Sequence, residues 1–438
     1  MPNGVRSNPD FPSVERSEAI YHRAKQKIPS VTQTLAKGPT QYIKGVAPKY
    51  IERAKGCRVW DVDGNEYLDF NMAIGPVSLG YCYPRVDEAI KAQLEKGITF
   101  SLMHPIEVEV AELVSSVVPN AERIRYSKTG CDVTSAAIRL ARAFTRRDGI
   151  LACGYHGWHD WAIATTDRNR GIPGSVRALT SAFNYNDIDS LATQIDDKTA
   201  AVILEPMLFE FPKDDFLLKV CDLCAKKGAL LIFDEMWTGF RLALGGAQEF
   251  FGVRADLATF SKAVANGMPL SVLAGRADVM SLLEKDVFFY TTFGGEALSL
   301  AAAVATIGEL KDKFVPTVLQ RTGARLIEGY NALARELSMD YTQCIGMGAR
   351  SMVTFAPGAG NVLEVKSLVQ QELLKRGILW QGMHALSYSH SVEDIDYTLA
   401  AYREVLPILK KAVSEGNPGK YLRGEAVQPV FRTITGKR

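Results

Sequence analysis

Long apolar runs are missing from this 438-residue chain. No stretch approaches the roughly 18 uninterrupted apolar residues of a spanning helix, and the opening Met1-Pro-Asn-Gly-Val-Arg-Ser-Asn-Pro9 has no apolar signal core. A soluble, cytoplasmic protein with no membrane partner is therefore expected. Cysteine is also scarce: seven scattered residues, an odd number, leave at least one thiol unpaired, so a disulfide framework is excluded and a reducing compartment fits. Cys221 and Cys224 form a CxxC pair, but Leu217, Leu218, Cys221, Cys224 and Ala225 recur at helical spacing and no second CxxC or His-x-x-His pair completes a zinc site. That pair reads as a helix face packed on a sheet, and no metal is expected. Charge of one sign is lacking too: 51 basic against 49 acidic residues give +2, and neither a helix-turn-helix nor a basic stripe is evident, so no nucleic-acid partner is expected. Internal repeats and low-complexity blocks are absent.

What is present is alternation. Residues 50–70 alternate in a hairpin-like way around Asp63-Gly64 and predict a small N-terminal sheet. From Val86 onward, short apolar runs at 123–127, 150–153, 201–205, 229–234, 257–261 and 271–274 are separated, in several cases, by helical segments. This predicts a mostly parallel sheet with helices on both faces, and such sheets place ligands beyond the carboxyl ends of their strands. An alanine-rich helix over 296–310 leads out of that region. A strand at 352–355 and a helix at 392–409 predict a C-terminal α+β lobe, and the tail after Glu415 reads as extended or mobile. The expected division is 1–85 (N-terminal segment and part of a small domain), 86–312 (large domain) and 313–438 (small domain and tail).

Two of the runs end in chemistry. Ala229-Leu-Leu-Ile-Phe-Asp234 delivers an acid and Leu257-Ala-Thr-Phe-Ser-Lys262 an amine. An acid and an amine at one sheet edge suit pyridoxal 5'-phosphate (PLP): the lysine holds the aldehyde and the carboxylate keeps the pyridine nitrogen protonated. Alone the pair is weak, because a strand-end Asp is often only a helix cap. Lys128-Thr-Gly-Cys-Asp-Val-Thr134 follows another run and opens a helix with Val133, Ala137, Leu140, Ala141 and Phe144 on one face. A glycine turn opening a helix offers free N–H groups and a positive dipole end, which suits a phosphate, although such a motif alone is more often an ordinary capped helix.

The flanks decide the matter. Asp234-Glu-Met-Trp-Thr-Gly-Phe-Arg241, then Leu-Ala-Leu-Gly-Gly-Ala-Gln248, then Ser261-Lys-Ala-Val-Ala-Asn-Gly-Met-Pro269 resemble the core of class III PLP-dependent aminotransferases, and look most like the glutamate-1-semialdehyde aminomutase branch. The resemblance runs from about Gly38 to about Leu399, with several motifs in the right order. It implies PLP-dependent fold type I: an α/β protein with a mostly parallel seven-stranded sheet, helices on both faces, and a small α+β domain built from both chain ends.

The resemblance also implies roles. Lys262 holds the cofactor as a Schiff base and then carries the proton; Asp234 pairs with the pyridinium nitrogen. Gly130 and Cys131 contact the phosphate, where the family usually has Ser-Gly-Thr-Glu; Thr129-Gly-Cys-Asp132 departs from that in three places, and a hydroxyl contact from position 131 is lost. Tyr155 of Gly154-Tyr-His-Gly157 stacks on the ring, with His156 orienting the loop; Trp158 and His159 are weaker candidates. Glu205, before Pro206, lies near the ring hydroxyl and the substrate. Thr292, in Tyr290-Thr-Thr-Phe-Gly-Gly-Glu-Ala297, reaches the phosphate of a neighbouring subunit, which implies a homodimer with shared active sites.

A small-molecule amino donor, L-glutamate, and an aldehyde or ketone acceptor are the expected partners. The competing reading is an aminomutase, which moves the amine within one molecule. Aminomutases carry an N-terminal arginine for the substrate carboxylate where this chain has Gln41, and the segment 161–176 looks shorter than their gating loop. Arg168 and Arg170 in that segment are available to an anionic acceptor, although loop arginines are usually solvated. Relatives on this branch include enzymes that aminate sugar or sugar-acid carbonyls for surface polysaccharides, which points to an octulosonate-type aldehyde. A non-catalytic PLP-binding regulatory or assembly protein has no chemical need for both Asp234 and Lys262.

Overall fold

The computed structural model describes residues 10–429. They fall into two compact units, one running from Pro84 to Pro316 and one joining the chain up to Tyr83 to the chain from Thr317.

The first unit is built on a seven-stranded sheet. Its strands are Arg123–Ser127 (β1), Gly149–Cys153 (β2), Thr180–Ala182 (β3), Thr199–Leu204 (β4), Leu230–Asp234 (β5), Leu257–Phe260 (β6) and Ser271–Gly275 (β7), in the spatial order β1-β7-β6-β5-β4-β2-β3. The pairs β3·β2, β2·β4, β4·β5 and β5·β6 are parallel, whereas β7 runs antiparallel to both of its neighbours. Every residue of β4 and β5 is buried, which is why Thr-Ala-Ala-Val-Ile-Leu and Leu-Leu-Ile-Phe-Asp read as continuous apolar runs and not as alternating ones. The expected mostly parallel α/β sheet is therefore present. Strand β3 is not among the expected runs, because Thr180-Ser-Ala182 is short and has alanine as its sole apolar residue, too little for a readable period.

The helix Gly130–Thr145 packs Val133, Ala137, Leu140 and Ala141 into one core with Ile150, Ala201, Ile203, Ile232, Leu257 and Leu273. Phe144, expected on that face, is 38% exposed and lies under the Arg276 guanidinium at 5.5 Å. In the helix Phe216–Lys227, Phe216, Leu217, Val220 and Cys224 are buried, whereas Leu218 is 49% exposed and Cys221 only partly buried. The buried face is rotated from the expected one: both sets of positions lie on a helical stripe, and it is the stripe of Phe216, Leu217, Val220 and Cys224 that is buried.

The second unit holds two small sheets. The strands Ile51–Lys55, Arg58–Asp61 and Glu66–Asp69 are antiparallel neighbours, and Ile378–Leu379 joins Glu66–Asp69 in parallel. The expected hairpin is there: Gly64 has φ +89°, and Asp61 Oδ1 accepts the N–H groups of Asp63 and Asn65 at 3.0 and 2.8 Å. Thr342–Met347, Arg350–Phe355 and Met383–Ala385 form an antiparallel sheet, and the helix Val392–Ser414 outlasts its expected end. The tail is not loose as far as 429. It forms a short turn at Pro418–Tyr421, bridges Lys44 with Glu425, and buries Val427, whose N–H donates to Ser367 Oγ at 2.9 Å. Among the described residues no helix is long and apolar enough to cross a membrane.

Candidate active site

Because β2, β4, β5 and β6 are parallel, the residues that follow them emerge on one edge of the sheet. β1, antiparallel to β7, runs in that same direction and ends on that edge as well. Gly154-Tyr-His156, Glu205, Asp234, Lys262 and Thr129-Gly130 are thus all delivered together.

Asp234 ends β5 nearly inaccessible to solvent. Its Oδ2 lies 2.7 Å from Nδ1 of His156, which is equally buried, and its Oδ1 accepts the Met236 N–H at 3.1 Å. The His156 ring stacks on Trp161 with an interplanar angle of 11°, and its carbonyl accepts the Thr134 hydroxyl at 2.8 Å. Nε2 of His156 is buried without a protein partner. The loop-orienting role expected of His156 understates this: its ring sits directly on the carboxylate. The signal available in the sequence is a histidine just past a buried strand, which spacing alone does not separate from an ordinary core histidine.

Lys262 follows β6 in the left-handed region at φ +46°, which a non-glycine residue adopts at a cost of order 1–3 kcal/mol. Ser261 fixes the approach by donating its hydroxyl to the Leu270 carbonyl at 2.7 Å. Nζ stands 4.6 Å from the centroid of the Trp237 ring.

At the start of the helix Gly130–Thr145, Asp132 accepts from the Thr129 N–H at 2.9 Å and the Ser127 hydroxyl at 2.8 Å. Burial raises the pKa of this carboxyl, but those hydrogen bonds outweigh it and leave the pKa below the usual range. Asp in place of Glu therefore still caps the helix. A Cβ on Gly130 would meet Met236 Sδ at 2.9 Å, and one on Gly157 would meet Cys131 Cβ at 2.6 Å, so the tyrosine loop and the turn after β5 close on the helix start. Tyr155 is 55% exposed, and its N–H donates to Glu205 Oε1 at 3.0 Å. Glu205 is itself buried, so it is not a solvated strand end.

Glu235 is a member of this region that no motif or spacing singles out. Burial pushes its carboxyl up to about 7, even though it accepts from the Thr238 hydroxyl at 2.5 Å and from the N–H groups of Ala247 and Gln248 at 2.7 and 3.1 Å. It ties the turn after β5 to the start of the next helix. Thr292, by contrast, is exposed, on a stretch tied to the end of β1 by the Lys128–Glu296 pair at 2.9 Å. Arg168 and Arg170 are exposed. Trp158 is exposed, and His159 Nδ1 lies 2.7 Å from Ser135 Oγ. Gln41 belongs to the other unit, where it is buried and donates Nε2 to Thr40 Oγ1 at 3.3 Å.

An amine, a buried carboxylate backed by a histidine, a helix start with free N–H groups and an accessible aromatic ring are the set that PLP requires. The model of the aminotransferase class-III family matches residues 42–390. The 3-aminobutyryl-CoA aminotransferase of Cloacimonas acidaminovorans is 34% identical, over 90% of this chain and 98% of that protein. The glutamate-1-semialdehyde 2,1-aminomutase of Methanosarcina acetivorans is likewise 34% identical, over 90% and 99%. Among solved structures, the FumI protein of Sphingopyxis sp. MTA144 in a PLP form superimposes with a TM-score of 0.85 at 29% identity, covering 92% of this chain and 98% of that one. With the family model spanning most of the chain and the fold shared across nearly its whole length, this protein belongs to the class III aminotransferases, enzymes that work with pyridoxal 5'-phosphate.

Proposed function

We propose that the protein transfers an amino group from an amino acid, L-glutamate first, to the aldehyde or ketone of a second molecule. The observation that carries this reading is Asp234 and Lys262 at the ends of adjacent parallel strands, with His156 on the carboxylate at 2.7 Å. PLP, when bound, supplies the aldehyde that exchanges the amine and the ring that accepts electrons. Lys262 Nζ would hold that aldehyde, and it is the amine placed to take and return a proton at the substrate carbon. Asp234, held by His156 Nδ1, would keep the pyridine nitrogen protonated. The N–H groups of Gly130 and Cys131 would hold the phosphate, and Tyr155 and Glu205 would hold the ring.

The acceptor is proposed as a polar sugar-acid aldehyde of the octulosonate type, serving surface polysaccharide assembly in the cytoplasm. A β-oxoacyl acceptor is the second candidate, supported by the name of the Cloacimonas relative. The aminomutase reading has relatives of that name behind it, but neutral Gln41 stands where aminomutases carry an arginine. We further propose a homodimer with shared sites, in which Thr292 reaches the partner's phosphate. Leu102, Met103 and Phe288, at 79%, 82% and 73% exposure, are apolar side chains that a monomer leaves in water.

The test is to load the enzyme with PLP and add L-glutamate with no acceptor. Loss of the visible absorbance with release of 2-oxoglutarate is expected, followed by an acceptor screen beginning with sugar acids. An absorbance that glutamate, alanine and other common donors leave unchanged would count against intermolecular transfer, and sedimentation of an active monomer would end the shared-site reading.

A further inference from the structure

The indole of Trp237 lies under the one amine on which the proposed reaction turns, and the geometry on both sides is fixed. On the tryptophan side, Met236 N–H donates to Asp234 Oδ1 at 3.1 Å, the Thr238 hydroxyl to Glu235 Oε2 at 2.5 Å, and Gly239 N–H to the Glu235 carbonyl at 2.9 Å. A Cβ on Gly239 would meet Phe260 Cδ1 at 2.4 Å, so this turn packs closely on β6. On the lysine side, the backbone is held at φ +46° and Nζ stands 4.6 Å from the ring centroid.

An aromatic face attracts an ammonium and has little attraction for a neutral amine, and the indole is the strongest of the side-chain faces. We propose that Trp237 is a positioning residue that favours the ammonium form of Lys262 and holds Nζ at the carboxyl ends of β5 and β6. When Nζ takes a proton from the substrate carbon, the C–H bond breaks, its electron pair stays on the substrate side, and an N–H bond forms on nitrogen. The indole lowers the energy of the ammonium so produced and keeps it where the proton can be returned. This inference rests on the reading of Lys262 as the cofactor lysine.

The test uses cofactor-free enzyme and measures, by absorbance, the rate of PLP capture across pH for wild type, Trp237→Phe and Trp237→Leu, with Lys262→Ala as the blank. Capture needs the neutral amine, so its pH profile reports the protonation of Lys262. The other titratable groups at this edge, Asp234, Glu235, His156, Glu205, Tyr155, Cys131 and Asp132, are the same in all three, so differences report the aromatic face. In Trp237→Leu the inflection should fall by about half a unit to one unit, and capture below the inflection should quicken roughly three- to tenfold. Trp237→Phe, with a weaker face, should shift about half as far. The inference is overturned if the leucine profile superimposes on wild type, or if phenylalanine shifts as far as leucine. Should the leucine variant not fold, an unshifted phenylalanine profile overturns it by itself. Capture by Lys262→Ala equal to wild type would instead remove the cofactor-lysine reading, a separate failure.

Discussion

The two compact units each bury a histidine near the centre of a polar network, and the networks differ in kind. In the unit with the large sheet, His156 meets the Asp234 carboxylate and leaves Nε2 unpaired. In the other, His384 lies between two hydroxyls, with Nδ1 3.0 Å from Ser351 Oγ and Nε2 2.8 Å from the Tyr402 hydroxyl, and Phe70 packs edge-on at 5.2 Å. Both His384 nitrogens are satisfied by neutral partners, and burial, then the nearby His390, pushes its pKa down to about 3. A neutral, fully bonded imidazole specifies packing. An imidazole on a buried carboxylate at the carboxyl ends of parallel strands holds that carboxylate in one orientation. Burial alone does not tell the two apart; the partner does.

The largest effect is expected from Asp234→Asn, which removes the charge His156 supports: PLP should stay bound while kcat/KM for the glutamate half-reaction falls by about a thousandfold or more, about 4 kcal/mol. Steady-state kinetics on the reconstituted enzyme checks this, and near-wild-type turnover would end the assignment.

Next come the paired substitutions His156→Asn and His384→Asn. The first should cost about 10- to 100-fold in kcat, the range of a charge-assisted hydrogen bond, with little change in melting temperature. The second should leave activity per folded molecule intact but destabilise by about 2–4 kcal/mol, because buried hydroxyls lose their partner. Equal patterns from the two variants would erase the distinction drawn between the units.

The smallest effects are in pH dependence, and the signs are opposite. The pKa of His384 falls from 6.5 to about 3 on folding, so the unfolded chain takes up the proton first; this contribution is complete above pH 6.5 and lost as pH falls towards 3. The carboxyl of Glu235 rises from 4.5 to about 7, so its contribution is complete below pH 4.5 and lost as pH rises through 7; Asp69, raised to about 6, acts in the same direction. Urea unfolding between pH 4 and 8 should show His384→Asn flattening the acid limb and Glu235→Gln the neutral one; limbs unchanged in both variants would exclude these groups as the source.

Much of this architecture is legible in the amino-acid sequence. Strands β4 and β5 stand out because a strand buried on both faces is a continuous apolar run. The residues just beyond such runs, Glu205 and Asp234, can be named for the same reason, as can Lys262 after β6. Strand β3 is too short to carry a period, and the buried face of the helix at Cys221 and Cys224 is misplaced by pattern alone, because a sequence does not show which side meets the sheet. The tail after Glu415 reads as loose because its anchors, Lys44 and Ser367, are distant in sequence.

Local apolar runs and motifs a few residues long are enough to establish the α/β class and the family, and to bring Asp234 and Lys262 forward as the candidate acid and amine. That His156 sits on Asp234, that Trp237 lies under Lys262 and that Glu235 is a buried carboxyl tying two elements together emerges with the folded chain. Those are contacts between side chains from different strand ends or turns, and their distances follow from how the parallel strands align, a quantity no single stretch of chain contains.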